Sequence, residues 1–190
     1  MLKNLILKNY FILYRPFLKF LGIFFASYVV LTIIYQLYLN FYDVKKFEVD
    51  GYTTLVAKQS VFILSLLDKK SYATLSLNEP NIKIFYKNKN VSHVVEGCNA
   101  LSINILFISF IIAFTGNYKR TFVFLVVGCL LIHCCNVLRI ALLSILFYEF
   151  PDYKNVLHQI VLPFILYGLV FIMWILWANK FSNYATKSLK

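Results

Sequence analysis

Cys98, Arg139 and His158 are the residues of this 190-residue chain whose types and placement can do chemistry together. A thiol attacks an acyl carbon, an imidazole takes and returns the proton, and a guanidinium holds the negative charge that develops on oxygen. Each borders a long uncharged stretch: Cys98 opens Gly97–Tyr118, Arg139 follows Thr121–Leu138, and His158 precedes Gln159–Asn179. Stretches that cross a bilayer in alternate directions would deliver all three side chains to one face.

The first of the three is the sharpest candidate. A thiol at the outward start of a helix meets unpaired backbone N–H groups and the positive end of the helix dipole, both of which favour the nucleophilic thiolate. Its bland alternative is a small packing residue, the usual fate of a free cysteine. Cys129 and Cys134 fall inside the third stretch and read as packing. Cys135 lies one turn before Arg139 on the same helix face, so it is a rival nucleophile or a disulfide partner for Cys98, though its depth in lipid disfavours the thiolate.

Arg139 is the costliest residue to place, at ~2.5–3.5 kcal/mol near the centre of a membrane helix and less at the boundary. Snorkelling to headgroups would explain it alone, but Asn136, three residues earlier on the same face, points to a hydrogen-bonded pocket for an oxyanion or a carboxylate. An unperturbed imidazole titrates near neutrality, so a histidine at position 158 is of a type suited to proton transfer from the thiol and to a leaving amine. His93 falls on an expected strand and His133 deep in the third stretch. A metal centre of His133, Cys134 and Cys135 is disfavoured because adjacent helical residues point about 100° apart. No metal or cofactor is expected.

The elements that position these groups follow from composition. At 61% hydrophobic residues the chain reads as an integral membrane protein, mainly α-helical. Four uncharged stretches, the three above and Phe20–Leu39, each form a helix of roughly 27–33 Å, matching a hydrocarbon core of about 30 Å. Spans are thus expected at 17–39, 98–117, 121–139 and 159–179 in a single membrane domain, 1–190. The first is followed by Asn40, Phe41 and Tyr42, not small residues, so it reads as an anchor and not a cleaved signal.

The net charge of +11 is sorted along the chain. Lys3, Lys8, Arg15 and Lys19 precede the first stretch, Lys119 and Arg120 separate the second from the third, and Lys180, Lys187 and Lys190 follow the fourth, with no acid among them. All eight acids lie in the other segments. The positive-inside bias places both termini in the cytoplasm and Cys98, Arg139 and His158 outside. The basicity therefore reads as topology and attraction to anionic lipid, not as a nucleic-acid surface.

Residues 40–96 form the only sizeable water-exposed segment. Leu55, Val56, Gln59, Phe62, Ile63, Leu66 and Leu67 recur at helical spacing after Gly51, and Lys58 near the middle favours a helix lying on the outer leaflet over another span. Tyr72–Leu77, Ile82–Tyr86 and Val91–Val95 alternate as strands around the turn residues 88–90, predicting a small antiparallel β cap that leads into Cys98. Beyond Arg139, Ile140–Phe150 stays apolar and would extend the third helix obliquely or lie along the interface until Pro151. Pro163, near the start of the last span, supports a helix beginning around His158.

Glu96-Gly97-Cys98 followed by Ser102, Asn136-Val-Leu-Arg139 and His158-Gln159, in that order over residues 96–179, resemble the exosortase/archaeosortase family of polytopic membrane transpeptidases, in particular its short F-type members. The resemblance implies a bacterial inner-membrane enzyme in which Cys98 attacks a backbone carbonyl in the C-terminal sorting signal of an exported protein, giving a thioester acyl-enzyme. Arg139 and His158 would complete the catalytic set, with Glu96 and Asn136 orienting it and Ser102 lining the pocket. Where many members carry Ser-Gly after the nucleophile, this chain has Asn99-Ala100. Two rivals remain from other classes: a non-catalytic assembly or export factor using its outer cap to hold a partner, and a thiol-redox protein pairing Cys98 with Cys135.

Overall fold

The computed structural model describes residues 2–43, 46–114 and 116–181, with side chains described from Tyr14 onward apart from residues 161, 162 and 181. The side chains of Lys3 and Lys8, and Lys187 and Lys190 altogether, lie outside the described residues. The chain is mainly helical with one small sheet. Three of its described helical runs are long and apolar enough to cross a membrane: Tyr14–Leu39 within α1 (Leu2–Leu39), α4 (Tyr118–Glu149), and Pro151–Lys180, whose centre is α6 (Leu162–Leu176).

The second expected span is shorter than its uncharged stretch. α3 runs only from Leu101 to Ala113, 13 residues and thus about 20 Å. The stretch overstates the helix because it includes non-helical backbone at both ends. Glu96–Cys98 form a 3-10 turn, Ala100 is left-handed (φ 63°), and Phe114 leaves helical geometry (ψ 88°).

Aromatic packing gathers one end of the bundle. Phe20 of α1 lies 4.6 Å from Phe114, Phe124 of α4 lies 4.8 Å from Trp177, and the Trp177 indole N–H donates to the Phe114 carbonyl at 3.1 Å. At the other end Tyr35 of α1 meets Glu96 and Asn99, and Asn136 of α4 meets Cys98. Thus α1, α3, α4 and α6 alternate in direction. Gly128 of α4 makes the tight crossing: a methyl group there would run into the Phe107 ring of α3 and the Met173 methyl of α6.

The cap is built on the far half of α4. This helix has 32 residues, about 48 Å, so its last third projects well past the hydrocarbon thickness. It stays one helix as far as Glu149 and ends before Pro151, which cannot continue the hydrogen-bond ladder. Val137, Ile140, Ala141, Leu143 and Phe147 there pack against Val56, Ala57 and Leu64 of α2 (Gly51–Leu67) and against the sheet.

That sheet is the expected antiparallel meander, in order β1 (Tyr72–Leu75), β2 (Ile82–Tyr86), β3 (Lys89–Val94). Lys87 and Asn88 both adopt positive φ, the requirement of a two-residue hairpin turn, so β3 starts two residues earlier than the sequence pattern suggested. Ile82, Ile84 and Tyr86 point into the cap core, and a buried Ser92–Ser144 hydroxyl pair (2.7 Å) ties β3 to α4.

α2 is capped by Asp50, whose Oδ1 accepts from the Thr53 N–H at 2.9 Å. It packs firmly along α4: the two ring nitrogens of His133 meet the Tyr52 hydroxyl and Gln59 Oε1, both at 2.8 Å. Its opposite side exposes Leu55, Phe62 and Leu66 beside Lys58. After Pro151 a 3-10 turn, the short α5 (Lys154–Val156) and a wide π turn, Leu157–Val161, lead into α6. Pro163 has no N–H to close an ordinary helical turn onto residue 159, which accounts for the widening beside His158.

Candidate active site

Cys98 sits where the two cores of the molecule meet. Its side chain packs against the cap core, while Ala100, two residues on, belongs to the membrane-bundle core with Phe107, Ile132 and Trp177. β3 feeds directly into the turn that carries it, closed by the Cys98 N–H donating to the Val95 carbonyl at 2.8 Å.

Asn99 fixes that turn. It is 1% exposed; its amide donates to Thr53 Oγ1 (3.0 Å) and the Tyr35 hydroxyl (3.3 Å), and its Oδ1 accepts from the Leu101 N–H (2.9 Å). One side chain thereby joins α1, α2 and the first turn of α3. Ala100 then reverses the chain in the left-handed region, a conformation glycine adopts without steric cost.

Asn136 is wholly buried and connects the Cys98 backbone to the Arg139 guanidinium. Its amide donates to the Cys98 carbonyl at 2.8 Å, and its Oδ1 accepts from Arg139 Nη1 at 3.3 Å. Arg139 Nε is buried with no partner, so the guanidinium retains donor capacity toward an incoming oxygen.

A cavity of about 370 Å³ brings the three chemical residues together: Cys98 from the turn, Arg139 from α4 and His158 from the π turn all line it. Ser92, His93 and Val95 of the β3 side close it above, Ile140, Leu143 and Phe147 form its apolar wall, and Lys154 and Asn155 stand at its rim. Arg139 and Lys154 supply its fixed positive charge, and no carboxylate lines it. Burial, with Lys154 and Lys83 adding to it, pushes the His93 pKa down. The thiol and the His158 imidazole line the same space, with no hydrogen bond between them. Catalytic hydrogen bonds are often loose in an unliganded site.

The other sequence-derived candidates are placed differently. Glu96 turns away from this cavity into a neighbouring one, where its Oε1 accepts from the Tyr35 hydroxyl at 2.9 Å. Ser102 is exposed on α3 and is not among the residues lining the cavity, because the turn at Ala100 rotates the first helical residues away from Cys98. Cys135 does not line it either, and all four cysteines are free. Asn99, His93 and Lys154 were not singled out as site residues by sequence. An amide directly after the candidate nucleophile at the head of an apolar stretch was the available signal for Asn99; Lys154 is the lone cation between Arg139 and Lys180.

The profile of the family described as Transmembrane exosortase (Exosortase_EpsH) matches residues 19–178, so the chain belongs to the transmembrane exosortase family. No curated protein and no solved structure gives a significant match. Membership carries the coarse assignment, a multi-pass membrane protein of a transpeptidase family.

Proposed function

We propose that this protein is an exosortase-type cysteine peptidase/transpeptidase of the short F-type group. It cleaves the C-terminal sorting signals of exported proteins at the outer face of the inner membrane. The observation that carries the reading is the single cavity lined by Cys98, Arg139 and His158, with Asn136 joining the Cys98 carbonyl to the guanidinium.

The Cys98 sulfur attacks the scissile carbonyl and His158 takes the thiol proton. Arg139 donates to the oxyanion, and the C–N bond breaks as His158 returns the proton to the leaving amine. The product is a thioester that water or another acceptor resolves. Asn136 positions the nucleophile and the guanidinium as one unit.

The proposed sidedness takes four crossings, one of them through the short α3. Residues 98–117 carry the chain from the site to the start of α4, and α4 needs 18 residues, about 27 Å, to return from Tyr118 to Asn136 beside Cys98. The segment containing α3 therefore covers nearly the full hydrocarbon depth despite its short helix. With Arg15, Lys19, Lys119, Arg120 and Lys180 at the opposite end, the positive-inside bias favours a cavity that faces outward.

The test is coexpression with an exported protein bearing a C-terminal motif, hydrophobic span and basic cluster, encoded beside this gene, and mass spectrometry of its mature terminus. A trimmed terminus with the native chain and an intact tail with Cys98→Ala is the expected result. Equal trimming by both would overturn the assignment.

A further inference from the structure

The cavity that Cys98 shares with Arg139 and His158 has the edge of the sheet as one wall. β3 has β2 on one side and, among the described residues, no strand on the other. Successive side chains of a strand point to opposite faces. Ser92 pairs with Ile84 on the face packed against α4, whereas His93 pairs with Lys83 on the outer face, and both line the cavity with Val95. A space bordered from both faces of a strand meets that strand at its edge, where the sheet leaves main-chain N–H and C=O groups without a neighbouring strand.

The space also has the direction and length of an extended peptide. Lys87, just before β3, meets Glu149 of α4 at 3.6 Å, Ser92 meets Ser144, and the Cys98 carbonyl meets Asn136. β3 therefore descends along α4 toward the membrane bundle and delivers the chain to the thiol. The α4 wall runs from Arg139 to Phe147, a rise of about 12 Å, which an extended chain covers in about three to four residues. The irregularity in the β2–β3 pairing falls between Ile84 and Phe85, so from Ser92 to Val94 the register beside the cavity is regular and can template a further strand.

We infer that the substrate segment immediately before the scissile bond binds here as an added strand, hydrogen-bonded to the free edge of β3 and parallel to it. The inference rests on the transpeptidase reading, which supplies a substrate whose hydrophobic tail follows the cut. With that tail entering the bilayer, the residues before the cut descend toward Cys98 as β3 does, and this sets the parallel direction. Main-chain hydrogen bonds along the edge hold the segment, and the scissile carbonyl arrives where the strand ends, beside the thiol. In a parallel pair only every second residue of the added strand directs its N–H and C=O at the neighbour. The binding thus carries a period-two signature that a peptide held by its side chains alone would lack.

The test uses the native full-length chain in detergent and acetyl-Thr-Val-Thr-Val chloromethyl ketone, whose chloride the Cys98 thiolate displaces. Alkylation of Cys98 is followed by peptide mass spectrometry, each rate divided by that of the same reagent with glutathione. The peptide should label at least about tenfold faster than chloroacetamide. Its amides are then replaced by esters one at a time, which removes an N–H without adding bulk. Alternate replacements should cost about three- to tenfold, the size of one lost hydrogen bond, and those between them less than about twofold.

Losses without alternation, or no advantage over chloroacetamide, would overturn the inference. Direction is read from chloroacetyl-Thr-Val-Thr-Val amide, which carries its electrophile at the other end and should label at least about fivefold more slowly. Equal or faster labelling by it would overturn the parallel strand. The scan changes the probe and leaves β3 native, so misfolding does not enter. A flat scan beside trimming that depends on Cys98 would remove the strand and leave the enzyme; an alternating scan beside equal trimming by Cys98→Ala would do the reverse.

Discussion

At the residue scale, the division of labour around Cys98 predicts unequal losses. Cys98→Ala removes the proposed nucleophile and should lower cleavage at least about a thousandfold, measured as processed substrate per unit time. Arg139→Lys keeps a charge but not the planar fork, and should lower kcat about 10²-fold, the size of losing one oxyanion donor. Asn136→Ala leaves the Cys98 carbonyl and the guanidinium unheld; a fall in kcat of about 10- to 100-fold with KM nearly unchanged would mark it as a positioning residue.

His93 supplies a pH dependence of its own. Burial disfavours its cation, Lys154 and Lys83 reinforce this, and only Glu79 opposes. The folded pKa is below the unfolded value, so the cap holds its full stability above about pH 6.5 and loses some as pH falls and the unfolded chain takes the proton first. Thermal unfolding of the native chain at pH 5 and pH 7.5 should differ by more than that of His93→Gln.

At the element scale, the turn at Ala100 and the crossing at Gly128 carry opposite predictions. Ala100 occupies a left-handed position that costs a non-glycine residue roughly 1–2 kcal/mol, so Ala100→Gly should be neutral to about 1 kcal/mol stabilising, after the extra chain entropy glycine brings. Gly128→Ala should destabilise by about 1–3 kcal/mol, because the new methyl overlaps Phe107 and Met173 where α3, α4 and α6 meet. Both are read from thermal unfolding in detergent.

At the scale of the whole molecule, alternating helices with a long α4 make a membrane bundle surmounted by a cap, and the site lies at their junction. A polar constellation at that level can hold ionisable groups that the bilayer centre would reject. The proposed threading predicts that a membrane-impermeant maleimide labels Cys98 in intact cells. A cysteine introduced at Lys119 should label only after permeabilisation. The reverse pattern would invert the topology.

The sequence by itself determined the helical membrane class, the antiparallel cap and the residues worth watching, because hydrophobic runs, period-two alternation and a costly arginine are local signals. It also carried the motifs that the family match over residues 19–178 bears out at family level. It overstated α3, since apolar composition does not stop where Ala100 and Phe114 leave helical geometry, and it did not reveal that α2 leans on α4 through His133. Only the tertiary structure decided that Glu96 and Cys98, two residues apart, line different cavities, and that Asn99 and Asn136 bind the turn to three helices. Hydrogen bonds between residues 38 to 64 positions apart depend on how helices stack, and no local pattern encodes that.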